Sequence, residues 1–187
     1  MARAFAEIAF TPTVQSIQEQ QGSAASYAKF LKPEVSGGDK LTAREASFIA
    51  ERDGFYQATV SETGWPYVQF RGGPRGFLKT ISPTQIAYAD FRGNRQYVSV
   101  GNLTVEDRVS LILMDYPNQR RLKIWGHATM VRVEDQPEKI AELHDENYSA
   151  VPERAMIITI DAFDWNCPQH IPQRFTLEEM EQLQMLG

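Results

Sequence analysis

From residue 86 to residue 91 the side chains alternate, Ile86, Tyr88 and Asp90 on one side and Ala87, Ala89 and Phe91 on the other. This two-residue period is that of a β-strand. Six more segments read as strands, at residues 55–60, 65–70, 77–81, 109–116, 122–133 and 155–163. Ser61-Glu62-Thr63-Gly64 joins the first two as a hairpin, and Pro66 puts the second at a sheet edge or a strand entry. The run VSLILMDY at 109–116 is nearly all apolar and predicts a central buried strand. Gly126 sits in mid-strand, which predicts a bulge or a close backbone approach.

Helices are marked by their ends. Thr42 with Glu45 makes a capping box before Ala46, Phe48, Ile49 and Ala50, and Asp53-Gly54 stops that helix. A short helix follows Tyr97 and is expected to end near Gly101-Asn102. Asp135-Gln136-Pro137 starts another. Thr176 with Glu179 caps a last one carrying Leu177, Met180, Leu183 and Met185. Residues 1–40 read as an extension: Phe5, Ile8 and Phe10 are scattered, residues 15–26 are rich in Gln, Ser and Ala, and Pro33 and Gly37-Gly38 punctuate the rest. A short helix fits residues 24–31. Such an arm either packs on a neighbouring subunit or stays a loosely ordered terminus. Residues 41–187 then form one domain, mainly β with helices (α+β), mostly antiparallel, as a small closed barrel with helical decoration.

Charge and composition narrow the partners. The 187 residues carry a formal charge of -5 with no basic run, which argues against nucleic acid as the main ligand. No stretch approaches the roughly 20 apolar residues of a membrane span, and the first residues do not read as a secretory signal. Cys167 is the only cysteine, so no intrachain disulfide forms, which fits a reducing cytoplasm.

The search for chemistry leaves little else. His127, His144 and His170 lack metal-ligand spacing. No GxSxG, GxGxxG after a strand, or P-loop is present. Glu106, Asp107 and Asp115 fall at element ends and read as solvated charges. Cys167 with His170 is the one thiol candidate. What stands out is arginine at turns. Arg92 and Arg95 bracket Gly93-Asn94, where Gly93 permits a positive φ and Asn94 is placed to cap the next helix. Arg71 and Arg75 flank a second glycine-rich turn, and Lys79, Arg120-Arg121 and Arg174 lie at other element ends. The plain alternative is a polar hairpin turn with solvated arginines. Positive charge gathered at turns of an acidic chain points to a small phosphorylated ligand.

The stretch GFLKTISPTQIAYADFRGNRQYVSVGNLTVEDRVSLILMDYPNQRRLKIWGHATMV resembles the pyridoxamine 5'-phosphate oxidase family of FMN-binding split barrels. The matching pieces are Gly76-Phe77-Leu78-Lys79, Ala89-Asp90, Gly93-Asn94-Arg95-Gln96, Asn102-Leu103 with Val109 and Leu111, and residues 122–126. FYQATVSETGWPYVQFRGGPRGFLK and DWNCPQHIPQR resemble a branch related to the vitamin B6 enzyme, since HDENYSAVPERA offers no match for that enzyme's substrate-phosphate set. The resemblance implies FMN, bound noncovalently between the subunits of a homodimer, and a small-molecule redox substrate. By position, Arg95 falls on the phosphate-binding arginine, with Asn94 and Arg92 beside it, and Gln96 falls where a lysine is usual. Ala89 and Asp90 fall on backbone running along the flavin, Arg121 replaces a glutamine near the ring, and Lys79 falls on a lysine that meets substrate. Gln169, His170 and Arg174 lie in the tail that reaches the partner's flavin. Three functions follow as expectations: a flavin-dependent oxidoreductase, a flavin carrier or sensor without turnover, and a Cys167/His170 thiol enzyme.

Overall fold

The strand alternation builds a single ladder. A computed structural model describes residues 3–165 and 167–185. Its strands are β1 (Gly54–Val60), β2 (Pro66–Gly72), β3 (Lys79–Ser82), β4 (Gln85–Phe91), β5 (Arg108–Asp115), β6 (Arg120–Arg132) and β7 (Pro152–Trp165). The helices are α1 (Arg3–Ala9), α2 (Pro12–Gln20), α3 (Ala24–Ala28), α4 (Ala43–Ala50), α5 (Val98–Val105), α6 (Pro137–Leu143) and α7 (Leu177–Met185). All neighbouring strands are antiparallel, in the order β2-β1-β5-β6-β7-β4-β3.

The sheet curls until β4 faces β1. Tyr88 donates to Gln57 Oε1 over 2.7 Å, and the Tyr88 and Phe77 rings pack on Phe55. The expected closure is corrected in one respect. The backbone ladder ends at β2 and β3, and among the described residues side chains alone bridge β2 to β4. The fold is an α+β split barrel.

Inward positions of five strands form the core, with Phe55, Leu111, Leu113, Leu122, Ile124, Met156 and Ile158 buried. β4 is buried on both faces. Ile86 and Tyr88 point into the barrel, while Ala87 and Ala89 lie under Ile140 and Leu143 of α6. Thr42 and Glu45 close the capping box of α4 as expected. The ladder register shifts between Trp125 and Gly126, where a Cβ would overlap the Thr159 carbonyl oxygen, so the mid-strand glycine answers to a real bulge. α5 runs past its expected end to Val105. Asn102 does not stop it, because its side chain turns inward and donates to Thr59 Oγ1 over 2.9 Å.

Before residue 41 the expected short helix at 24–31 is present, as α3 and a 3-10 turn at Lys29–Leu31, whereas α1 and α2 go beyond the expected arm. Phe5 of α1 stacks on Trp125 at 4.4 Å, with the Lys123 ammonium 4.1 Å from its ring. Ala6 is wholly buried, and the Phe163 N–H donates to the Gly38 carbonyl. α1 is therefore docked on its own barrel; α2 buries nothing. At the other end, Gln119 and Gln173 donate across to the Ile171 and Pro117 carbonyls, and Arg174 lies over the Tyr116 ring. This ties the tail to the β5–β6 turn. Thr176 and Glu179 exchange bonds ahead of α7, whose Leu177 and Met185 are exposed. Asn166 and the Leu183 side chain lie outside the described residues. Among the described residues no helix is long and apolar enough to cross a membrane.

Candidate functional site

Where the barrel splits, its interior turns from apolar to polar. Alternation along β2 sets Tyr67, Gln69 and Arg71 on one face, toward β4 and α5. Ser99 donates to Gln69 Oε1 over 3.0 Å. Asp90, 4% exposed, accepts from Arg71 Nη1 at one oxygen and from Arg154 Nη1 at the other, both at 2.7 Å. A buried carboxylate between two arginines is paired on both sides and fixes both guanidinium groups. Arg154 Nη2 also donates to Glu153 Oε2 at 2.8 Å. Glu153 Oε1 accepts from Arg92 Nε at 3.1 Å and from the Tyr97 hydroxyl at 3.3 Å.

The loop between β4 and α5 supplies the other wall. Here two expectations are corrected. Gly93 does not take a positive φ; Arg95 (φ 62°) and Tyr97 (φ 54°) do. Asn94 does not cap α5. Its Oδ1 accepts from the Gln96 N–H at 3.1 Å, shaping the turn, and Tyr97 takes the N-cap position without a side-chain cap bond. Non-glycine residues held left-handed cost on the order of 1–3 kcal/mol each and gather where a ligand site needs them. The uncapped first turn of α5 leaves N–H groups facing the same space.

These walls enclose a cavity of about 210 Å³. Of the residues singled out from the sequence, Arg71, Asp90, Gly93, Asn94, Arg95 and Gln96 line it. Arg92 borders an adjoining open hollow that shares Tyr97, Glu153 and Arg154 with it. Ala89 offers only its backbone, because its side chain is buried under α6. That backbone is accessible in ladder terms. β3 pairs with β4 only as far as Lys79 opposite Ala87, so residues 88–91 have no strand on that edge among the described residues. Lys79 stands where the pairing stops. Arg121 lies away from the cavity on β6 opposite Met114, its Nε buried and without a hydrogen-bond partner among the described residues. Gln169, His170 and Arg174 are exposed and also lie apart, in the tail held at the β5–β6 turn. Cys167 is exposed, and no bond among the described residues joins it to His170.

Tyr67, Gln69, Ser99, Glu153 and Arg154 line the cavity too and escaped the sequence reading. The polar i, i+2, i+4 spacing on β2 was the available signal; for Glu153 and Arg154 there was none. Burial alone would raise the Glu153 carboxyl. The bonds from Arg92 and Tyr97 and the charge of Arg154 outweigh it and hold the group below the usual carboxylate range. Arg95 is exposed, and the Tyr97 oxygen, then the Glu153 charge, keep it firmly protonated. Arg71 Nε is buried and has no hydrogen-bond partner among the described residues. The site thus offers fixed cations, an unused donor and helix N–H groups, the donor set of an anion seat.

Comparison with known proteins identifies the family of the chain. Residues 41–166 match the family described as pyridoxamine 5'-phosphate oxidase. Group A Streptococcus HupZ is 12% identical with a TM-score of 0.55, over 72% of this chain and 100% of that one. A putative pyridoxamine 5'-phosphate oxidase from Lactobacillus delbrueckii is 19% identical with a TM-score of 0.51, over 67% and 94%. An FMN-binding protein from Syntrophomonas wolfei is 12% identical with a TM-score of 0.52, over 83% and 97%. At these identities the structures speak for the fold alone. No curated protein matches the sequence. The family match spans well over half of the residues, and the chain belongs to the pyridoxamine 5'-phosphate oxidase family.

Proposed function

We propose that this protein is an FMN-binding, flavin-dependent oxidoreductase of the pyridoxamine 5'-phosphate oxidase-related type, a cytoplasmic homodimer acting on a small molecule. The observation that carries the reading is the arginine-walled cavity at the open edge of β4. Its donors suit a phosphate monoester: Arg95, Arg71 with its unused Nε, and the first turn of α5. The edge of β4 that β3 leaves open at residues 88–91 suits a flat, hydrogen-bonding ring system laid along a strand edge. When bound, FMN would supply the redox chemistry by accepting and donating hydride. The chain's residues bind and orient. Asp90 holds Arg71 and Arg154 in place, Arg95 and Arg92 neutralise the phosphate, and the Tyr88–Gln57 pair keeps the barrel wall behind β4 rigid. No acid or base of the protein is required for hydride to move to or from a flavin.

Two features favour a second copy. The outer face of β2, β1 and β5 exposes Val68, Phe70, Tyr56 and Ile112 together. The chain also exposes 11561 Å², about 2,500 Å² above the scaling for a monomer of its mass. On this reading Gln169, His170 and Arg174, in the tail tied to the β5–β6 turn, would serve the partner's site and not their own.

The test is the absorption spectrum of the purified protein, followed by anaerobic titration with NADH and NADPH. The reading requires a flavin spectrum, FMN on release, and bleaching by a reductant that reoxidation reverses. A protein that takes up no FMN refutes it; one that holds FMN but is never turned over is a carrier or sensor instead.

A further inference from the structure

Glu153 holds the donors that an anion would use. Arg92 comes from the end of β4, Tyr97 from the head of α5 and Arg154 from β7, and all three converge on its carboxylate at 3.1, 3.3 and 2.8 Å. Asp90 and Glu153 divide the arginines differently. Asp90 is buried and accepts from Nη1 of both Arg71 and Arg154, so it is needed to keep these two largely buried cations paired. Glu153 lines both the cavity and the adjoining hollow, and one of its arginines, Arg92, is 59% exposed at the side chain. Arg154 stays fixed by Asp90 whether or not Glu153 holds it. Glu153 therefore contributes little to the frame and much to the charge that an entering anion meets.

We propose that Glu153 is a specificity-determining residue, an internal carboxylate that competes with ligand for Arg92, Arg154 and the Tyr97 hydroxyl. A monoanion offers these donors no more than Glu153 already does. A phosphate monoester dianion offers more charge and three acceptor oxygens, and displaces it. The site accordingly favours phosphate-bearing ligands and rejects carboxylates and neutral analogues. The identity of the ligand as FMN rests on the function proposed above; the competition itself rests on the geometry.

Titration calorimetry of the full-length protein and of Glu153→Gln, each with FMN, riboflavin and inorganic phosphate, decides it. Glutamine keeps the size and one acceptor and removes the charge. The expected result is FMN and phosphate binding about tenfold tighter in the variant, the effect of one like charge in a partly solvated site, with riboflavin affinity unchanged. Glu153→Ser carries the same expectation should the glutamine variant fail to fold. Equal or weaker phosphate binding overturns the proposal, as does a riboflavin gain as large as that for FMN. If the native protein takes no FMN, the flavin reading fails separately, and inorganic phosphate alone decides the role of Glu153.

Discussion

His127 has a carboxylate on each ring nitrogen, Asp107 at 2.7 Å from Nδ1 and Asp161 at 3.0 Å from Nε2. It lies on the outer side of β6, away from the arginine cavity. The bond to Asp107 raises its pKa above the ordinary histidine value; burial works weakly against this, and Asp161 adds to the rise. A group whose folded pKa is raised stabilises fully below its unfolded pKa and loses that contribution as pH rises through the folded value. The melting temperature of the native protein should therefore exceed that of His127→Gln near pH 6, and the gap should shrink by about pH 8. Both partners are well exposed, so the effect is small. A gap that widens with pH would contradict the assignment. The same residue scale explains what sequence reading missed in the cavity. Asp90 joins Arg71 and Arg154, 19 and 64 positions away. Nothing local in either neighbourhood announces the pairing, whereas Arg92 and Arg95 stand out because they flank a turn.

Elements were legible where their signals are local. The seven strands came from alternation, an apolar run and turn signals, α4 from its capping box, and the β6–β7 bulge, whose extra residue is Asp161, from Gly126. The register of β6 and β7 depends on that glycine, since the Thr159 carbonyl occupies the space of any Cβ. Gly126→Ala should destabilise the fold by about 2–3 kcal/mol, the cost of forcing atoms into a packed site. Gly101 is the control: it lies inside α5 with nothing within 4 Å of an added Cβ. Gly101→Ala should be neutral to stabilising by about 0.5–1 kcal/mol through helix propensity. Urea unfolding of the two variants measures both, and equal shifts would remove the structural role given to Gly126. α1 and α2 were not legible. Their apolar residues are too few to make a periodic face, and α1 is held by tertiary partners, Trp125 and Lys123, that lie more than a hundred residues along. The end of α5 was misplaced for a related reason: Asn102 looks like a helix stop but its side chain is committed to Thr59 inside the barrel.

At the scale of the molecule the open question is which chain each tail serves. Within one chain the tail is fastened at the β5–β6 turn by Gln119, Gln173 and Arg174, and none of Gln169, His170 and Arg174 lines the arginine cavity. The proposed homodimer gives those residues a task, with Pro168 and Pro172 stiffening the segment in advance. The cut that tests this must follow Trp165, because β7 runs that far and the Trp165 indole donates to Glu45 at 2.7 Å. Deleting residues 166–187 should abolish FMN binding while leaving the barrel folded, and Arg95→Ala should weaken FMN binding at least tenfold by removing a charge-assisted bond. A mixed dimer of one truncated chain and one full-length Arg95→Ala chain then separates the two arrangements. If tails cross, one site combines the truncated chain's own Arg95 with its partner's tail, and that site alone holds flavin. If each tail serves its own chain, one site lacks a tail, the other lacks Arg95, and neither holds any. Flavin stoichiometry of the tagged and purified mixed dimer, read against a native dimer that carries its full complement, gives the answer. One flavin per dimer supports the crossing tail, and none sends it back to its own barrel.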